Sequence, residues 1–301
     1  MSADTEAEKR AARRASRGVP AVAPKGWAMP WRDRGGRLSP LRILTLAAMI
    51  LPLVLLIFDW ATDNLGPEAY EAATHETGRW AIRLLVGSLA VTPIGRVLGW
   101  PRLFQLRRMI GLGALAWVLL HFLLYVGDQN WILWRVAIEI GSRIYLIIGF
   151  VALSGLVVLG WTSTDGWMKH LGRGWKRLHR IIFPIALLAL LHAFIQSKAD
   201  VSQAVILAGL LVWLLAWRAL PARWQTSIPA LALLSVAALL GAVGIEFAWY
   251  ALATNLPASR IAAANLDLAF GPRPAVLSGM IAAGFVVLAA LRRLAGRLRG
   301  A

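Results

Sequence analysis

Three histidines, His121, His179 and His192, lie inside apolar stretches of membrane length. A histidine in hydrocarbon is costly, and such positions mark ion paths, proton relays or cofactor ligands. Neutral imidazole is a standard axial ligand for haem iron. The chain has no cysteine, which excludes thioether-attached haem, iron–sulfur clusters and disulfides. Haem held without covalent attachment between membrane helices is the chemistry these residues fit, and electron transfer is the function it would serve.

The elements that must position these histidines are membrane spans. Of the 301 residues, 58% are hydrophobic, more than the ordinary soluble chain carries. The net charge of +17 sits mostly at the ends of apolar segments. It reads as orientation and headgroup contact rather than nucleic-acid binding, for which no recognition motif is present. Apolar stretches long enough to cross a bilayer fall at about 41–59, 80–98, 109–127, 143–161, 180–197, 203–218, 228–252 and 274–294. This predicts an all-α polytopic membrane protein. Residues 1–40, with Lys9, Arg10, Arg13, Arg14 and Arg17, read as a disordered basic tail. Arg13-Arg14 is not followed closely by an apolar run, so no twin-arginine signal is assigned. There is no Rossmann glycine fingerprint and no P-loop.

Basic clusters set the orientation. Arg37 and Arg42, Arg96 to Arg108, Lys169 to Arg177, Arg218 and Arg223, and Arg292 to Arg299 all fall on one side if both termini are cytoplasmic. Acids outweigh bases on the other side, with Asp59, Glu68, Glu71, Asp128, Glu139 and Asp200 against the exceptions Arg79, Arg135, Arg143 and Arg260. The third and fifth spans then both run outward. His121 lies about 20 Å beyond the inner boundary and His192 about 20 Å beyond His179, at 1.5 Å per residue. His121 and His192 are thus expected to sandwich one iron in the outer half. His179 marks where a second haem would lie, and two stacked haems would span the bilayer.

Thirteen helical steps leave His192 about 140° round the helix from His179. Pro184 lies between them and is expected to kink the span so that both rings face inward. Arg107 stands fourteen residues before His121 on nearly the same face, suited to a haem propionate. Trp60, Trp80, Trp100, Trp161 and Trp224 are placed near span ends. His75 and His170 are expected in aqueous loops, and Glu246 to reach water at the outer end of the seventh span.

The run Leu106-Arg107-Arg108-Met109-Ile110-Gly111-Leu112 followed by Trp117 and His121 resembles the third span of the MsrQ (YedZ) family. Thr162-Ser163-Thr164, Leu171-Gly172, Trp175, Leu178, His179 and His192 resemble the same family. So do His75-Glu76-Thr77-Gly78-Arg79 and Thr92-Pro93. The resemblance covers about residues 41–218. It implies a ferric-reductase-like six-helix haem-binding bundle, with 219–301 forming two further transmembrane helices and a basic end. It also implies haem b, FMN, and electrons from the quinone pool or a cytosolic flavin reductase. Their destination would be a periplasmic molybdenum-containing methionine sulfoxide reductase subunit. Carried over by motif, His121, His179 and His192 are the haem-ligand positions. On this reading the chain is an oxidoreductase-type subunit of the bacterial inner membrane and not itself the catalytic reductase. The alternatives are a stand-alone ferric or oxygen reductase membrane domain, and a non-redox transporter or scaffold.

Overall fold

A computed structural model describes residues 29–33, 36–197, 200–269 and 271–300. Most of the basic tail expected over 1–40 lies outside the described residues. The chain divides into two compact units, 1–51 and 52–301. In the first, Arg32 and Leu38 form an isolated antiparallel bridge, and the Arg42 guanidinium donates to the Arg32 carbonyl.

Helices follow one another through the chain: α1 (Pro40–Ala61), α2 (Ala69–Leu98), α3 (Leu106–Asp128), α4 (Leu133–Ser142), α5 (Ile144–Trp161), α6 (Asp165–Leu171) and α7 (Arg173–Leu178). After them come α8 (Ile182–Gln196), α9 (Ser202–Ala219), α10 (Ile228–Ala253), α11 (Ala258–Ala263) and α12 (Pro274–Gly300). Short 3-10 turns occupy Pro101–Gln105, His179–Ile181 and Ala264–Leu266. No named strand occurs among the described residues. Eight helical segments are long and apolar enough to span a bilayer, matching the eight apolar stretches. The protein is an all-α multi-pass membrane protein. Outward-facing Leu123, Val151, Leu187, Leu240 and Val287 give the rim the apolar surface that lipid contact requires.

Within 52–301, α2 packs along α3, α5 along α8, and α9, α10 and α12 form a three-helix cluster. Small residues let that cluster close: Gly209, Ala238, Ala242, Ser278 and Ala282 meet where three backbones approach. A Cβ on Gly209 would lie 2.9 Å from the Ala238 carbonyl. Helix α2 ends in a left-handed Gly99 (φ 62°), whose N–H returns to the Arg96 carbonyl at 3.1 Å. Arg292 on α12 completes that end by donating to the Arg96 and Val97 carbonyls at 3.0 and 3.1 Å.

Several sequence expectations are corrected. The second span begins at Ala69 rather than near 80, because the polar turn Glu71–Arg79 continues the helix instead of forming a loop. His75 is therefore helical, 3.5 Å from Glu71 one turn back, and Trp80 is mid-helix against Trp117. His170 also belongs to a helix, α6, though it is exposed there. The change of phase expected at Pro184 lies just before it: the span passes through the His179–Ile181 3-10 turn, which contains Arg180, the residue four before Pro184 whose carbonyl the proline leaves without its helical donor. Glu246 does not reach water: it is 2% exposed and bound inside the protein.

Candidate haem-ligand site

The 3-10 turn changes the phase that sequence spacing implied. Three steps at about 120° replace three at about 100°, so His192 stands about 80° rather than about 140° from His179. Helix α8 then carries His192 to the interior against α3.

There the rings of His121 and His192 meet, with centroids 6.3 Å apart and planes at 79°. Two imidazoles on opposite sides of one metal, each with Nε2 about 2 Å from it and about 1.1 Å from its own ring centre, would have centroids about 6 Å apart. Rotation about the metal–nitrogen axis leaves that distance unchanged, so nearly perpendicular ring planes suit the arrangement.

Both tautomers are fixed by the backbone. His121 Nδ1 lies 2.8 Å from the Thr74 carbonyl, and His192 Nδ1 lies 2.8 Å from the Tyr145 carbonyl. A carbonyl only accepts, so each Nδ1 carries its proton and each Nε2 keeps a lone pair for a metal. The donor set therefore fits an axial-ligand pair. Among the described residues no group of three or more His, Cys, Asp or Glu side chains could cage a metal ion on its own. Two such imidazoles would supply nitrogen ligands to a haem iron.

Beyond the pair, towards the Asp128 end of α3, opens a polar cavity of about 480 Å³. Thr74 and Tyr145, whose carbonyls hold the histidines, line it together with Glu71, His75, Tyr125 and Arg143. Arg143 pairs with Glu139 at 2.5 Å, and its guanidinium is held above its ordinary pKa by the Tyr145 hydroxyl and Glu139.

His179 is not part of this pair. Its ring stacks on Trp175 with centroids 3.9 Å apart, and Nδ1 donates to the Trp175 carbonyl at 3.2 Å. Ser163 Oγ stands 3.4 Å from Nε2 and also lies 2.6 Å from the Leu159 carbonyl. The Leu159 carbonyl is a second backbone partner of the His179 ring, so this imidazole is held by the chain's own acceptors. Arg107 is exposed at the start of α3, within electrostatic range of His179 and Arg218. Arg218 donates to the Leu89 and Leu214 carbonyls and lies over the Phe183 ring. Sequence reasoning had assigned Arg218 to orientation alone. It had also passed over Thr74 and Tyr145, which act through backbone atoms that residue type does not advertise.

A helical membrane bundle that brings two span histidines together, rings nearly perpendicular, fits the ferric-reductase-like class. Residues 77–190 match the family model of the ferric reductase like transmembrane component. The chain is 39% identical over 179 residues to the protein-methionine-sulfoxide reductase heme-binding subunit MsrQ of Xanthomonas campestris pv. campestris, covering 57% of this chain and 82% of that protein. It is 39% identical over 193 residues to the MsrQ of Rhodospirillum rubrum, covering 64% of this chain and 90% of that protein. The chain belongs to the MsrQ family. No solved structure matches it.

Proposed function

We propose that this protein is the haem-bearing membrane electron-transfer subunit of a methionine sulfoxide reductase system, with haem b held between His121 and His192. The observation that carries the reading is the 6.3 Å ring separation with both Nδ1 atoms committed to carbonyls. Bound there, haem iron supplies a one-electron couple. The protein's part is to hold the two imidazoles in one tautomer, to bury them, and to surround the pair with apolar helices. Arg107 and His179 form the inner end of the path, where Arg107 would meet a propionate or another anionic group and His179 would ligate any second haem.

Both termini lie in the cytoplasm and the membrane is a bacterial inner membrane, a reading that the basic loops support. The donor is the quinone pool or a cytosolic flavin reductase, with FMN as a further cofactor. The acceptor is a periplasmic molybdenum-containing reductase that repairs oxidised methionine in proteins. The names of the relatives and the family match support this partner. The chain itself is not the catalytic reductase.

The test is reconstitution in proteoliposomes with a quinol donor. The reduced protein should be reoxidised when the soluble reductase and a methionine sulfoxide substrate are both present. Reoxidation by ferric chelate alone, with none by the reductase, would favour the stand-alone ferric reductase instead.

A further inference from the structure

The two histidine seats are copies of one device. His121 takes the carbonyl of Thr74 and His192 the carbonyl of Tyr145, each 47 residues earlier in the chain. Four residues after each carbonyl stands a glycine, Gly78 on α2 and Gly149 on α5. All three positions recur at one offset of 71 residues (192 − 121, 145 − 74 and 149 − 78). Helix pair α2–α3 thus builds one seat and pair α5–α8 the other.

The glycines have a direct steric reason. In a helix the carbonyl of residue i accepts the N–H of residue i+4, and the side chain of i+4 flanks that carbonyl. A ring that is to share the carbonyl must approach over the place where that side chain would stand. A Cβ on Gly78 would lie 3.1 Å from both Nδ1 and Cε1 of His121. A Cβ on Gly149 would lie 2.9 Å from the same two atoms of His192. The ring edge that would be struck is the edge that donates to the carbonyl. Glycine inside a helix costs stability relative to alanine, so these notches run against local preference.

We infer that Gly78 and Gly149 are positioning residues for the axial ligands: each lets one imidazole reach the carbonyl that fixes its tautomer and ring plane. This rests on the haem reading above. A Nδ1–H bonded to a carbonyl makes Nε2 a stronger donor and favours ferric iron. Alanine at either glycine pushes the ring from its carbonyl, weakens that bond and favours the ferrous form. Gly149 is the tighter notch and carries the larger effect.

The experiment compares purified wild-type protein with Gly78→Ala, Gly149→Ala and the controls Gly87→Ala and Gly111→Ala, whose added Cβ would meet nothing within 4 Å. The readouts are the low-spin ferric EPR g values and the midpoint potential, neither of which a purely structural role would move. Gly149→Ala should shift the g values and raise the potential, Gly78→Ala should do so less, and both controls should match wild type. Haem-loaded Gly149→Ala and Gly78→Ala with wild-type g values and potential would overturn the inference. Should the alanine variants fail to accumulate, proton ENDOR on the wild-type protein decides, through a hydrogen-bonded Nδ1 proton on both axial ligands or its absence. A colourless wild-type protein would instead sink the haem reading, so the two failures are distinct.

Discussion

Glu246 offers a sharp test of the C-terminal helices, which the sequence left without an account. It is 2% exposed on α10. Its Oε2 accepts from Asn265 Nδ2 at 2.7 Å, and its Oε1 stands 3.6 Å from the Arg273 guanidinium. The carboxylate thus ties α10 to the connection that leads into α12. Removing it in Glu246→Ala leaves Asn265 Nδ2 with only the longer Ile261 and Ala262 carbonyls, at 3.4 and 3.3 Å. A hydrogen bond to a charged acceptor is worth about 1.5–3 kcal/mol. Arg273 is 36% exposed and can turn to water, so its share is at most about 1 kcal/mol. Together Glu246→Ala should cost about 2–4 kcal/mol. Glu246→Gln keeps an oxygen for Asn265 and should cost about 1 kcal/mol. Denaturant unfolding in detergent gives the global value, and hydrogen–deuterium exchange in the α10–α12 connection gives the local one. If Glu246→Ala matched wild type in both, or Gln proved as damaging as Ala, the pairing described here would be refuted.

Further outcomes follow from other contacts. Gly209→Val should disrupt the α9–α10–α12 cluster and lower detergent stability, because the new side chain meets Ser278 and the Ala238 carbonyl. Gly244→Val, with open space around its Cβ, should not. Asp200 caps the start of α9 by accepting from the Ser202 N–H at 3.0 Å, and the Ser202 contacts hold its carboxyl below 3.8. Its contribution is therefore present at neutral pH and is lost as pH falls from 3.8 through the lower folded value. Asp200→Asn should flatten that part of an acid-unfolding profile. His75→Ala should leave the low-spin absorption bands in place, since its ring pairs with Glu71 and is not one of the two rings that meet.

The spans were legible because a bilayer imposes a length on apolar runs, and the helices match all eight stretches. The meeting of His121 and His192 was legible because both lie equally deep on helices that run the same way. The phase of His179 was legible only in direction, through Pro184, since the three-residue 3-10 turn that sets it has no residue pattern of its own. Thr74 and Tyr145 act through carbonyls, and only the glycine four residues on hints at such a seat. The start of α2 at Ala69 was hidden because its polar first turns lie outside the apolar run, where they line the cavity. Asn265 and Arg273 are too far along the chain for any pattern to pair them with Glu246.

The central claim is that His121 and His192 clasp one haem. Absorption and EPR spectra of detergent-purified wild type, His121→Ala and His192→Ala, oxidised and dithionite-reduced, test it most directly. The account predicts low-spin b-type bands in the wild type that disappear in each variant. A low-spin spectrum that survives His192→Ala unchanged would contradict it.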